Sequence, residues 1–306
     1  MLLDELRIRN FRCLRDVTLR FAPLTVLVGP NGSGKTALLS ALASPIGFQP
    51  SDAWRHEAVP LLRSGNGDVG SFDEELPPHQ GSSQRWNHAR LALRPESLRI
   101  DNELAEAFAL LPSGENLVNV FATMPRARRQ LVSERLCELV PLYRDVDARP
   151  RGHGRHRMVF EDRWRSGLWF DPAEVSDGTM VLLAFLILAH LERPPDLVTI
   201  EHPEESLHPY LLQEVIRMLR SLASGSLGPK AVQVVLSTHS PLLLDFVEPR
   251  EVRFLSRSLE DGSTVVRDAP TDSNEWRAAF EECEQSLGEM WLAGGLGGVP
   301  PMPADQ

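Results

Sequence analysis

Leu24-Thr25-Val26-Leu27-Val28-Gly29-Pro30-Asn31-Gly32-Ser33-Gly34-Lys35-Thr36 is the stretch from which the rest of the chain is read. Leu24 to Val28 are apolar or β-branched without interruption, which suits a strand buried on both faces, and the glycines behind them let the main chain turn sharply. Gly29, Pro30, Asn31, Gly32, Ser33, Gly34, Lys35 and Thr36 meet every fixed place of the phosphate-loop pattern, glycine, four residues, then Gly-Lys-Ser/Thr. In such a loop the N–H groups wrap phosphate oxygens at the start of a helix. Lys35 is expected to neutralise the β and γ phosphates, the Thr36 hydroxyl to ligate Mg2+, and the helix dipole from Ala37 onward to add partial positive charge. ATP and Mg2+ are therefore the expected ligands.

A phosphate loop needs a carboxylate for the magnesium at the end of another strand. Leu197-Val198-Thr199-Ile200-Glu201 supplies one, with Glu201 as the candidate ligand. Around these motifs the pattern is that of an α/β fold. Short apolar alternations (Leu6 to Arg9, Val17 to Phe21) predict strands ahead of Leu24. From Val175 the order is helix (Met180 to Leu191), strand (Leu197 to Ile200), helix (Leu211 to Leu222) and strand (Ala231 to Leu236), the alternation of a mostly parallel sheet. Residues 45–100 have little periodicity, whereas Glu103 to Leu111 and Arg128 to Leu142 carry helical spacing. The expected organisation is a discontinuous P-loop lobe (1–45 and 171–270), an inserted, mainly helical lobe (46–170), and a C-terminal helix with a Gly/Pro-rich tail (271–306). Asn274 to Leu292 reads as one amphipathic helix.

Composition narrows the function. The chain has 306 residues, 42% of them hydrophobic and 24% charged, which suits an ordinary globular protein. The longest apolar run, Met180 to Ala189, is too short to span a bilayer, and Asp4 and Glu5 spoil a signal peptide, so a cytoplasmic protein without a membrane partner is expected. Cys13, Cys137 and Cys283 lack the spacing of a zinc site or a disulfide framework and read as reduced packing residues. A net charge of -10 argues against coating nucleic acid without selectivity. The one basic island runs from Arg126 to Arg165, with 11 arginines against six acids, and is the place where DNA contact would fall.

Four segments resemble the ABC-type ATPases of the RecF, SMC and OLD branch. Leu6-Arg7-Ile8-Arg9-Asn10-Phe11-Arg12 looks like the opening strand and arginine of that branch, and Val175-Ser176-Asp177-Gly178-Thr179 like its signature sequence. Glu201 to Pro209 is similar to its Walker B and D-loop block, and Ser237-Thr238-His239-Ser240-Pro241 to its histidine switch. The resemblance implies a homodimer that sandwiches ATP, with Arg12 near phosphate, Ser176, Asp177 and Gly178 offered to the other copy's nucleotide, and His239 sensing the γ phosphate. Read as residues alone, Ser176 and Asp177 are equally good N-cap residues, and Gly178 admits a close approach. The glutamine that contacts magnesium in the branch has only Gln80 and Gln84 as candidates here.

One position departs from the resembled pattern. Where the branch carries a second carboxylate after the Walker B acid, this chain has His202. A ring beside a triphosphate tends to be protonated and then cannot act as a base, and loss of general-base help costs about 100- to 10,000-fold in rate. Glu204 would restore the role if the Pro203 turn folds it back. The expected function is thus a slowly hydrolysing ATP-dependent dimer switch in DNA maintenance or anti-phage defence, with a separate effector protein. A non-hydrolysing ATP sensor that recruits partners is the alternative, and the nucleotide-binding subunit of a transporter fits less well.

Overall fold

The computed structural model describes residues 3–43, 61–64, 69–71, 87–271, 273–283 and 286–294; Gln80, Gln84 and the tail beyond residue 294 lie outside them. Two compact units are present, one formed by residues 1–88 and 233–306 and the other by residues 89–232. These divisions fall at other places than the lobe boundaries read from the motifs.

In the first unit, β1 (Leu3–Phe11) and β2 (Leu14–Arg20) form an antiparallel hairpin in which Leu6 faces Leu19 and Ile8 faces Val17. These four residues are at most 3% exposed while their sequence neighbours are polar, the alternation of a sheet with one buried face. The strand β3 (Leu24–Val28) is buried throughout and leads through the glycine loop into α1 (Lys35–Leu42). The antiparallel sheet is completed by β4 (Leu61–Ser64) on β1 and β5 (Val69–Ser71) on β4.

The second unit starts around β6 (His88–Leu91) and continues with α2 (Pro95–Leu98), β7 (Asn102–Glu103), α3 (Leu117–Thr123) and α4 (Arg126–Leu139). An antiparallel hairpin follows, β8 (Tyr143–Gly152) and β9 (Arg155–Asp162), extended by β10 (Trp169–Phe170) and β7. Next comes α5 (Asp177–Ala189), whose run from Met180 to Ala189 is at most 4% exposed, as expected of a helix apolar on every side. It is ringed by α2, α3, α4 and α6 (Pro209–Ser224), and β11 (Leu197–Glu201) lies beside β6.

The chain then returns to the first unit with β12 (Gln233–Thr238), α7 (Pro241–Leu244), β13 (Val252–Arg257), β14 (Thr264–Asp268), α8 (Asn274–Glu282) and α9 (Leu287–Leu292). The strand order here is β14-β13-β3-β12, with β3 parallel to both neighbours and β14 antiparallel to β13. Gln233, at the start of β12, is tied to β1 through two bonds of 2.8 Å with the main chain of Leu3.

Several expectations need correction. Glu103 to Leu111 is not a helix: Glu103 is in β7 and the rest is irregular. Its main chain is instead claimed by side chains further along, with Thr123 Oγ1 accepting from Ala107 N, Asn119 Nδ2 donating to Glu103 O, and Asn116 bonding both Leu111 N and Ala109 O. The helix expected at Arg128 to Leu142 spans Arg126–Leu139, and the strand expected at Ala231 to Leu236 spans Gln233–Thr238. Asn274 to Leu292 is two helices, the second begun afresh by the Ser286 hydroxyl accepting from Glu289 N.

Candidate nucleotide site

In the first unit the phosphate loop is fixed from outside by the β13–β14 hairpin. Arg257 Nε donates to Gly32 O at 2.8 Å, and Thr264 Oγ1, itself buried, donates to Ser33 O at 2.9 Å. A trans peptide points its N–H opposite to its C=O, so a Ser33 carbonyl held by Thr264 turns the Gly34 N–H the other way. The glycines follow from the same packing. A Cβ on Gly29 would lie 2.3 Å from Leu255 O, and one on Gly34 would lie 2.3 Å from Thr264 Oγ1. Gly32 and Gly34 also have φ of 78° and 109°, the left-handed region that glycine enters without cost.

Lys35 is buried and donates through Nζ to the carbonyls of Gly29, at 2.7 Å, and Pro30, at 3.0 Å, so its charge is held over the loop it closes. Thr36 is exposed at the start of α1, and that helix has no side-chain cap. Ser33 Oγ is buried and lacks a hydrogen-bond partner among the described residues, an orphaned donor inside the loop. The Gly34 N–H turned away from Thr264, an ammonium and a hydroxyl without a partner among the described residues together suit a polyphosphate.

Arg12 lies in the β1–β2 turn with φ of 53°, its guanidinium 5.4 Å from the centre of the Phe11 ring. With Arg15, Arg257 and Asp261 it lines a groove of about 460 Å3. Thr238 pairs with Val28, so His239 and Gly29 leave adjacent parallel strands at the same end, and His239 is exposed there. Asn31 is exposed at the tip of the loop.

In the second unit Glu201 ends β11 after four buried residues. Its Oε1 accepts from Arg90 Nε at 2.9 Å and Nη2 at 2.5 Å. Both donors sit on one oxygen, which leaves Oε2 as a hard donor suited to Mg2+. His202 has φ of 47°, and the tight turn behind it brings Glu204 Oε1 to 3.5 Å from His202 Nδ1. The Pro203 turn thus folds Glu204 back toward the imidazole.

The Ser176 hydroxyl accepts from Thr179 N and caps α5. Asp177 forms an ion pair of 2.6 Å with Arg99, which also donates to Pro172 O at 2.9 Å and Val175 O at 2.7 Å. Arg99 therefore holds the whole approach to α5. A Cβ on Gly178 would meet Ser206 O at 2.6 Å, so the close approach this glycine admits in the structure is that of the turn after Glu204.

Arg90, Arg99, Arg257 and Thr264 escaped sequence reasoning because each lies outside the motifs. Arg90 alone had a signal, a charge at the centre of a four-residue strand.

The basic island is partly engaged within the chain. Seven of its 11 arginines are engaged: Arg135, Arg144, Arg149, Arg151 and Arg157 with carboxylates, and Arg128 and Arg163 with main-chain carbonyls.

A buried parallel strand, a pinned glycine loop and a lysine at the start of the following helix define an α/β P-loop NTPase. Residues 66–245, more than half of the chain, match the family model described as "AAA domain, putative AbiEii toxin, Type IV TA system", and residues 1–45 match "AAA ATPase domain". The chain belongs to this AAA-domain family. It is 46% identical over 63 residues to the OLD nuclease of Thermus scotoductus, which is 21% of this chain and 10% of that protein; the match spans about a tenth of the relative's length. Among solved structures it is similar to the SMC head domain from Thermotoga maritima (14% identity, TM-score 0.53, 88% of this chain and 99% of that one). An SMC head bound to the C-winged helix domain of ScpA is also similar (12% identity, TM-score 0.59, 88% and 98%). At these identities the likeness concerns the fold.

Among the described residues no helix is long and apolar enough to cross a membrane.

Proposed function

We propose that this chain binds ATP with Mg2+, hydrolyses it slowly, and uses the nucleotide to close a homodimer that controls a separate effector protein. The observation that carries the reading is the phosphate loop, its Gly32 and Ser33 carbonyls pinned outward and its lysine buried. In this reading residues Gly29 to Thr36 cradle the phosphates, Thr36 and Glu201 hold the magnesium, Arg12 and His239 respond to phosphate, and Ser176, Asp177 and Gly178 serve the nucleotide of the second copy. When bound, the metal supplies charge neutralisation on the phosphates. Residues 1–45 and 171–270 act as the ATPase lobe, 46–170 as an insertion and 271–306 as an appendage.

His202 stands where a catalytic carboxylate is usual, and the turn that brings Glu204 Oε1 to 3.5 Å from His202 Nδ1 supports Glu204 as the residue that takes over the role of the base. The work of the dimer is proposed as DNA maintenance or anti-phage defence in the cytoplasm, supported by the OLD nuclease relative and by an SMC head seen with ScpA. Direct DNA contact through residues 126–165 is the least supported part, since most arginines there are engaged. A second reading, a non-hydrolysing ATP sensor, is favoured by His202 and by the engagement of Glu201 with Arg90.

Sedimentation of the purified chain with and without ATP and Mg2+ tests the reading. A dimer that forms with ATP and is lost in Lys35→Ala supports it, and a monomer at every ATP concentration sinks it.

A further inference from the structure

We propose that Arg90 is a positioning residue that acts through Glu201 as a fixed cationic counterweight and sets the Mg2+ concentration at which the nucleotide site fills. The inference rests on the reading above in which Glu201 ligates magnesium.

The geometry separates this ion pair from others in the same unit. Arg157 grips Asp101 as a fork, with Nε on Oδ1 at 3.0 Å and Nη2 on Oδ2 at 2.9 Å, and so occupies both oxygens. Arg90 puts Nε and Nη2 on the single oxygen Oε1 of Glu201, at 2.9 and 2.5 Å. Among the described residues one oxygen is held and the other stays open to a cation.

The pair is also sheltered. The Glu201 side chain is 15% exposed and that of Arg90 is 35% exposed, and the two belong to adjacent strands, β11 and β6. A guanidinium does not lose its proton in proteins, so the positive charge is permanent. Magnesium approaching Glu201 meets a carboxylate whose charge is already partly neutralised and a neighbour of like sign. Both effects weaken its binding, and neither is strongly screened at a partly buried pair. An arginine that only fastened two strands would change thermal stability and leave the magnesium dependence where it was.

The experiment is a Mg2+ titration of the binding of a fluorescent ATP analogue to the full chain, read as the half-saturating Mg2+ concentration, with melting temperature measured alongside. Arg90→Gln is expected to lower that concentration about tenfold. Arg90→Met, which keeps the apolar stem, is expected to do the same and serves if the glutamine variant does not fold. Arg90→Lys keeps the charge and should stay near the parent, while Glu201→Gln should raise the concentration. If Glu201→Gln raises it but both Arg90→Gln and Arg90→Met leave it unchanged or higher, the counterweight is overturned and the role of Glu201 survives. If Glu201→Gln has no effect, Glu201 is not a ligand and both readings fall.

Discussion

Gly178, in the first turn of α5, packs against the main-chain carbonyl of Ser206, so close that a Cβ would sit 2.6 Å from the oxygen. The signature segment and the turn after Glu204 are thereby in direct contact. Neither can shift without the other. Gly178→Ala would have to displace backbone rather than a flexible side chain, and overpacking of this kind costs about 1–3 kcal/mol. A lower melting temperature together with reduced ATP turnover is expected, and unchanged values for both would show that the turn yields freely.

Thr264 tests the support of the phosphate loop. Thr264→Val keeps the shape but leaves Ser33 O without its donor, and an unpaired buried acceptor costs about 1–3 kcal/mol. Calorimetry should show ATP affinity reduced about five- to tenfold, with Thr264→Ser close to the parent. Equal affinities for the valine and serine variants would remove the hydroxyl from the account.

Arg99 tests the signature segment separately. Arg99→Ala releases Pro172 O, Val175 O and Asp177 at once. ATP should still bind with near-parental affinity while ATP-dependent association weakens at least tenfold by sedimentation, since one freed charged partner alone is worth about that much. Parallel loss of both activities would indicate a general folding defect.

His202 is tested through the rate of hydrolysis. His202→Glu restores a carboxylate after Glu201 and should raise phosphate release by about tenfold or more. No gain in turnover would count against His202 as the cause of slow hydrolysis.

Cys137 provides a pH test of the packing of α4. Burial pushes its thiol up to about 11, while a hydrogen bond with Ser133 works the other way. At pH 8 only about one molecule in a thousand then carries the reactive thiolate, so alkylation of Cys137 in the native protein should be slow and rise about tenfold per pH unit up to pH 10. Rapid labelling at pH 8 would show that α4 opens.

The parts of the molecule that the sequence disclosed are those with dense local signals. The buried run Leu24 to Val28, the glycines behind it and the wholly apolar Met180 to Ala189 each allow one local structure. The segment Glu103 to Leu111 misled because Leu104, Phe108 and Leu111 have helical spacing, yet all three are at least 45% exposed and the main chain bonds to Asn116, Asn119 and Thr123 instead. The β8–β9 hairpin was hidden by its arginines, although Gly152-His153-Gly154, all at positive φ, marks its turn. Arg90, Arg99, Arg257 and Thr264 act over separations of 73 to 231 residues, and no pattern within a window reveals such partners.

The most direct measurement is a calorimetric titration of ATP and Mg2+ into the parent chain and Lys35→Ala. The account requires a saturable isotherm for the parent that disappears, or weakens at least a hundredfold, when the buried ammonium is removed, as expected for loss of a charge held against phosphates. Superimposable isotherms for the two proteins, or no heat of binding from either, would contradict it.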